Sequence, residues 1–548
     1  MVYRSSALTA LAPLAFIFVS AMSGCGSSSN SSSGTPTTSA TSTAAPTHAT
    51  TPAPAPTPAP TPAPAPTPTP APVSATVAAV AGDACLPSSM PSADTFFNAS
   101  KKVFAHYFPP FPVSIDNALS ANDYYNMQYL NINGESNKWV KQGGYLRARP
   151  LGVEISTSAN WQQLNMEGEV RAAIARGITG FTFDTLAASD ATDSNGTLHL
   201  MLAAAHAVDS RFKIVVMPDL TALGSDSNAV VSIIAAAASS PAAYRLSDGR
   251  LVVSAFDAGL NSAVWWQSVI SRLNAQGIQI AFVPTFMTLP TGAAGAAFAA
   301  LSYGFADWGT ATVPAAGEMQ GDPKTVHSTY GKIFMMPVDP QQYRPKDFLF
   351  WEAGNSSTYR DAWTGSIQGD ADWVQLVTWN DFSESSSISP STDASLRRYI
   401  GTGYYNLTGY YASWFLTGQQ PQITHDVLYY FYRREATSAA GPAQSQLDTI
   451  ATGAAQNDIE LLAFLTSPGV LKITIGGKTY TQNAAAGVVS FSVPSQAGTP
   501  VFTLSRSGTD VFSVTGGITI YGAGGLPSGV QDLTYWNGSA SKSGVCSL

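Results

Sequence analysis

Two carboxylic acids three residues apart, Asp381 and Glu384, close an apolar run and sit beside Trp379 and Asn380. A tight turn at that point aims both carboxyls into one cleft. A pair of carboxyls in unequal surroundings can cleave a glycosidic bond: one protonates the leaving oxygen, and the other activates water or attacks the sugar. An Asn-Asp pair after a strand is also an ordinary turn or helix cap, so residue type alone leaves both readings open. Comparable groups recur upstream, each in or just after a short apolar run: His106, Asp184, Asp219, Asp257, Asp307 and Asp339. Taken singly, each is more often a loop cap than a catalyst, Asp257 and Asp339 above all. The chain has no Gly-x-Ser-x-Gly elbow, phosphate-binding loop, His-Glu-x-x-His or Cys/His cluster at zinc spacing. No metal and no cofactor is therefore expected. Six histidines leave a Ser-His-Asp hydrolase open by count, but nothing nominates its serine.

Groups scattered over so much chain need a scaffold that gathers strand ends. Short β-rich runs lie at 103–107, 180–184, 213–217, 251–255, 278–283, 306–310, 332–337 and 373–379. Ala-rich helical stretches separate several of them, at 167–176, 198–209, 229–238 and 263–276. Eight such units predict a (β/α)8 barrel, which keeps its reactive groups at the C-terminal ends of the strands. A doubly wound sheet is the plainer competitor. Past Pro421 the pattern changes to short alternating runs at 427–432, 459–465, 471–475, 488–493, 501–505, 511–515 and 518–521, with Gly476-Gly477 marking a hairpin. These predict a β-sandwich over 421–548 behind a barrel over 85–420.

The 548 residues carry a net charge of -8, and only 11% are charged. So few basic residues give no electrostatic footprint for nucleic acid. Aromatics also make up 11%, a profile that suits neutral polar ligands such as sugars. Arg4 and the apolar run 7–22 read as a secretory signal, ending in Met22-Ser23-Gly24-Cys25. That tetrapeptide resembles a lipobox, with Met22 where Leu is usual, so 1–25 is expected to be a lipoprotein signal and Cys25 the lipidated residue. Residues 26–84 form a Ser/Thr/Ala/Pro linker in which every second residue from Pro52 to Pro72 is proline. Such a run can form neither helix nor ladder and is expected to be an extended stalk on a membrane anchor. The remaining cysteines, Cys85 and Cys546, flank the folded body and are expected to pair in an oxidising compartment. The expectation is an extracytoplasmic monomer held to a bacterial membrane by lipid.

Several segments resemble glycoside hydrolase family 71, the α-1,3-glucanases or mutanases. Val103–Phe108 (VFAHYF) is similar to its first strand, 177–184 (GITGFTFD) to its second and 334–340 to its seventh. The most specific likeness is 372–384, DWVQLVTWNDFSE, to the family's Trp-Asn-Asp-aromatic-Gly-Glu-Ser signature. In the tail, 425–433 (HDVLYYFYR) and 462–467 (LAFLTS) resemble the opening of its β-domain. The resemblance implies a barrel plus sandwich, no cofactor, and hydrolysis of α-1,3-glucan with inversion. It implies Asp381 and Glu384 as the reactive pair, with Asp184 or Asp219 able to serve the opposite face. His106, Tyr107, Asp219, Trp308, Tyr343, Trp379 and Asn380 would then contact substrate. Ser383 and Ser386 replace the family's Gly and His. Those departures keep two alternatives in view: an inactive surface glycan-binding lipoprotein, and a barrel glycosidase of other linkage, such as an endo-α-mannosidase type. The stretch 116–153 is longer than the family's usual first loop. Its Tyr124, Tyr125, Asn126, Tyr129, Asn131, Asn133, Trp139, Tyr145 and Arg147 suit either sugar binding or the packing of an insertion.

Overall fold

Alternation along the first barrel strand, β1 (Lys102–Tyr107), decides which side chains enter the barrel. Phe104 joins the interior cluster, whereas Val103, Ala105 and Tyr107 join the core under the helices. His106 therefore points inward, at the C-terminal end of the strand. This computed structural model describes residues 79–80, 82–309, 311–312, 322–390, 401–439, 441–522 and 529–546. The expected signal segment, Cys25 and the proline run lie outside those residues.

The barrel continues with β2 (Gly180–Thr185), β3 (Lys213–Pro218), β4 (Leu251–Val253), β5 in two pieces (Ile280–Phe282 and Thr285–Phe286), β6 (Gly304–Asp307), β7 (Ile333–Val338) and β8 (Trp373–Leu376). All pairings are parallel, and β8 lies between β7 and β1. The first piece of β5 pairs with β4 and the second with β6, which closes the cylinder. The break falls at Pro284, which has no N–H to give, but its carbonyl still accepts from Ala306 N at 2.9 Å. Each strand is followed by a helix: α1 (Trp161–Ile174), α2 (Thr197–Val208), α3 (Ser227–Ala238), α4 (Ala263–Ala275), α5 (Gly292–Ala299), α6 (Asp322–Tyr330), α7 (Ser357–Gln368) and α8 (Gly403–Thr417). The fold is the expected (β/α)8 barrel, not a doubly wound sheet.

Some expected boundaries move. Helix α1 starts at Trp161, not residue 167, and it ends before Gly177, whose φ of +77° turns the chain into β2. Strand β6 sits two residues earlier than expected, so Asp307 closes it. Strand β8 spans only four residues, and the Val377–Thr378 peptide that follows it is cis. The chain beyond β8 stays tied to both neighbours through Val377 N to Val338 O (3.0 Å) and Trp379 N to His106 O (2.8 Å).

The C-terminal part is an all-β sandwich. Strands β9 (Val427–Tyr432), β10 (Asp458–Leu465), β13 (Gly487–Pro494), β16 (Trp536–Ser541) and β17 (Gly544–Cys546) form one sheet, whose edge pairs with Ala79–Val80. Strands β11 (Gly469–Ile475), β12 (Lys478–Ala484), β14 (Val501–Arg506) and β15 (Thr509–Thr515) form the other. The two sheets share one core through alternate residues such as Leu428, Tyr430, Leu461, Ile473 and Phe502. The opposite face of β9 and β10 packs on α8, with Tyr404 against Phe431 and Tyr410 against Phe464. Residues 518–521, read from sequence as a strand, make only a bridge between Ile520 and Gly498. Cys85 and Cys546 are bonded, with Cα atoms 5.5 Å apart at a sequence separation of 461. Among the described residues no helix is long and apolar enough to cross a membrane.

Candidate active site

The chain leaving β8 turns sharply, and Asp381 organises that turn. Its Oδ1 accepts from Ser383 N (2.8 Å), Ser383 Oγ (2.8 Å) and Glu384 N (3.1 Å), while its own N–H donates to Thr378 Oγ1 (2.7 Å). Among the described residues no group donates to Oδ2. Burial, with the Glu384 charge adding, pushes the Asp381 carboxyl up to about 6, and the Ser383 hydroxyl opposes that rise. Glu384 lies in different surroundings. Its Oε1 is ion-paired with Arg344 Nη2 at 2.6 Å, and its Oε2 accepts from Gln342 Nε2 at 2.9 Å. The Asp381 carboxyl is thus harder to ionise than usual, while Glu384 is held in an ion pair with Arg344.

Across the mouth, His106 Nε2 lies 3.7 Å from Asp184 Oδ2, beyond a direct hydrogen bond. Both side chains are almost fully buried, and among the described residues His106 Nδ1 and Asp184 Oδ1 have no hydrogen-bond partner. Burial holds the imidazole neutral, lowering it to about 3. Burial first, then the Asp219 and Asp381 charges, raises Asp184 well above the usual carboxylate range. Asp219 caps the short helix Leu220–Leu223, accepting from Thr221 N (2.6 Å), Thr221 Oγ1 (2.7 Å) and Ala222 N (3.3 Å) on Oδ1. Trp308 stands edge-on to His106, with centroids 4.7 Å apart, and forms a wall. Asp339, which from sequence looked most like a turn cap, is buried, and burial raises it strongly, with the Glu384 and Asp307 charges adding. Its close neighbour is Gly309, where φ is +86° and a Cβ would stand 2.6 Å from Asp339 Oδ2.

The other expected contacts have different surroundings. Tyr107 alternates with His106 and so leaves the barrel, donating to Glu169 Oε2 at 2.9 Å. Trp379 donates to Glu169 Oε1 at 3.2 Å and packs on Phe181. Tyr343 is buried, and its hydroxyl donates to Asp448 Oδ2 at 2.7 Å and to Gln531 O at 3.0 Å. Asn380 spends its amide on the loop after β1, accepting from Phe108 N (2.7 Å) and donating to Phe108 O (3.0 Å) and Phe111 O (2.8 Å). These four side chains are almost fully buried and direct their polar groups to neighbouring segments.

Sequence reading missed Arg344 and Gln342, whose short loop after β7 carries no motif. It also missed Glu169, the buried acid of α1 that joins the ends of β1 and β8. Burial raises Glu169 to about 8, against the lowering effect of Tyr107 and Trp379. The folded protein therefore keeps a proton that the unfolded chain releases at lower pH. That contribution to stability is full in acid and is lost as pH rises through about 8. Melting temperatures should decline from pH 5 to pH 9, and Glu169→Gln should flatten part of that slope. An unchanged slope would contradict this account.

Residues 153–547 match the model of glycosyl hydrolase family 71. The chain is 26% identical over 379 residues to glucan endo-1,3-alpha-glucosidase agn1 of Schizosaccharomyces pombe, covering 66% of this chain and 87% of that protein. It is 22% identical over 410 residues to the ascus wall endo-1,3-alpha-glucanase of the same organism, covering 66% and 90%. Among solved structures, the GH99 endo-alpha-mannosidase of Bacteroides thetaiotaomicron aligns with a TM-score of 0.43 at 16% identity, over 58% of this chain and 98% of that one.

Proposed function

The chain belongs to glycosyl hydrolase family 71, and from that premise we propose that it hydrolyses α-1,3-glucosidic bonds in a glucan, with Asp381 as general acid and Glu384 as general base. One observation carries the assignment of roles: a single turn holds two carboxyls in unequal surroundings, Asp381 buried without a cation partner among the described residues and Glu384 paired with Arg344. The acid must arrive protonated, which suits the buried Asp381. The base must arrive ionised, which suits the carboxylate paired with Arg344. A water between Glu384 and the anomeric carbon then attacks as Asp381 protonates the leaving oxygen, and the anomeric configuration inverts. On the opposite wall, neutral His106 offers a donor and an acceptor, and Asp184 a protonated carboxyl, to sugar hydroxyls. Asp219 and Trp308 complete that wall. Ser383, in place of the family's Gly, donates to Asp381 Oδ1 and so moderates the rise that burial gives the acid.

The test is digestion of a panel of α-1,3-, α-1,4- and α-1,6-glucans and α-mannan, with the first product anomer read by NMR. Reducing sugar from α-1,3-glucan alone, released first as the β anomer, is expected. Cleavage of mannan only, or no product from any polymer, would sink the reading. The pH profile provides a second check. Because a general acid works only when protonated, kcat/KM should fall as pH rises through about 6. Ser383→Ala removes a donor to the ionised form and should move that limb to higher pH. A limb that stays in place speaks against Asp381 as the acid.

The finer placement is part of the same proposal. We place the catalytic barrel at 85–420 and the sandwich at 421–548. Cys25 carries the lipid, the proline run 52–72 is a stalk, and the enzyme works as an extracytoplasmic monomer on an insoluble polymer. The Cys85–Cys546 bond supports an oxidising compartment.

A further inference from the structure

The family-matched region begins at residue 153. Upstream of it, Phe111 packs edge-on against Phe382 of the reactive turn at 6.4 Å, which brings the segment between β1 and residue 153 to the site. The segment is held firmly. Arg149 is ion-paired with Asp123 at 2.6 Å in a buried position, and Tyr125 donates to Pro112 O at 2.6 Å. Arg147 ties the segment to itself through Gln142 O (2.5 Å) and to the C-terminal part through Gln531 O (2.7 Å). These residues are buried and account for the packing of the segment.

Tyr145 also packs on the barrel core, but it carries a second ring outward. Tyr145 and Trp139 are only half-buried and lie face to face, with centroids 4.7 Å apart and planes 13° from parallel. The Tyr145 hydroxyl faces Ser383 and the Asp381 and Glu384 charges; burial chiefly, with the Asp381 charge next, raises it far above its usual range. Tyr129 buttresses Tyr145 edge-on at 5.2 Å. The exposed Lys138 ammonium lies 4.8 Å from the Trp139 ring centre. A rigid ring stack that starts at the reactive turn and runs outward under a movable cation is suited to a pyranose. The sugar's C–H face packs on the indole, and its hydroxyls accept from the ammonium.

We propose that Trp139, Tyr145 and Lys138 form an added subsite that binds one further glucosyl unit of the polymer, beyond those flanking the scissile bond. This inference rests on the α-1,3-glucan reading above. The experiment compares wild type, Trp139→Ala and Trp139→Phe on soluble α-1,3-glucooligosaccharides of increasing length. Loss of one stacking contact should raise KM about tenfold on long chains, with kcat within about twofold. The shortest cleaved oligosaccharide should show no change, and Trp139→Phe should restore most of the KM. An unchanged KM at every length overturns the subsite. So does a loss of kcat that is uniform across lengths and tracks a lower Tm, since that marks a merely structural tryptophan. Wild type inactive on every α-1,3-linked oligosaccharide would remove the underlying reading, and the subsite with it.

Discussion

Asp381→Asn lowers kcat on α-1,3-glucan by about 10²–10⁴-fold, the usual worth of a positioned general acid, while the melting temperature stays near that of wild type. The two halves of this result have separate causes. The three donors at Asp381 all converge on Oδ1, an acceptor that asparagine keeps. Only Oδ2 changes, to an amide that cannot release a proton, so chemistry is lost and the turn is retained. Glu384→Gln should lose a comparable factor, and the double variant little more, because an acid and a base acting in one step are not additive. A glucosyl fluoride substrate separates the roles. Fluoride leaves without strong protonation, so Asp381→Asn should recover much of its rate there and Glu384→Gln should not. Recovery by Glu384→Gln instead would exchange the two assignments.

Glu352→Ala should cost about 3–5 kcal/mol of folding stability, the usual penalty for stranding a buried charge. Glu352 follows the short strand Leu349–Trp351 and is almost fully buried. Its Oε1 accepts from Gly354 N (2.9 Å) and Tyr535 Oη (2.5 Å), and its Oε2 from Arg433 Nη1 (3.0 Å) and Gln456 N (2.9 Å). Arg433, just past β9, lies 3.9 Å above the Tyr535 ring and donates to Leu533 O at 2.8 Å. One carboxylate thus joins the chain after β7 to three segments of the sandwich. Its removal leaves an uncompensated guanidinium in the joint. Urea unfolding measures the loss, and Glu352→Gln, which keeps two acceptor positions on one oxygen, should lose less. A change under about 1 kcal/mol would mean that the joint does not depend on this ion pair.

The sequence showed the barrel more clearly than the walls of its cleft, for physical reasons. Strand runs and Ala-rich helices are local patterns, and so is the Asn-Asp turn after β8. Tyr107 could have been assigned to the helix side of β1 by the same alternation that sends His106 inward, since a strand sends adjacent residues to opposite faces. Tyr343 could not: its partners Asp448 and Gln531 lie 105 and 188 residues later in the chain, and no local pattern announces them. Arg344 was hidden for a similar reason, because its role follows from the approach of the loops after β7 and β8. Strand β12 (KTYTQNA) was missed because its polar residues face outward and only Ala484 is fully buried.

The bond between Cys85 and Cys546 also changes what damage means for this protein. Between those two residues the chain is a covalent macrocycle. A protease that cuts once inside it opens a ring and does not release a fragment. Both pieces stay joined through the disulfide. A nicked molecule thus keeps its full mass, and its barrel and sandwich stay at high mutual concentration, until a second cut or a reductant parts them.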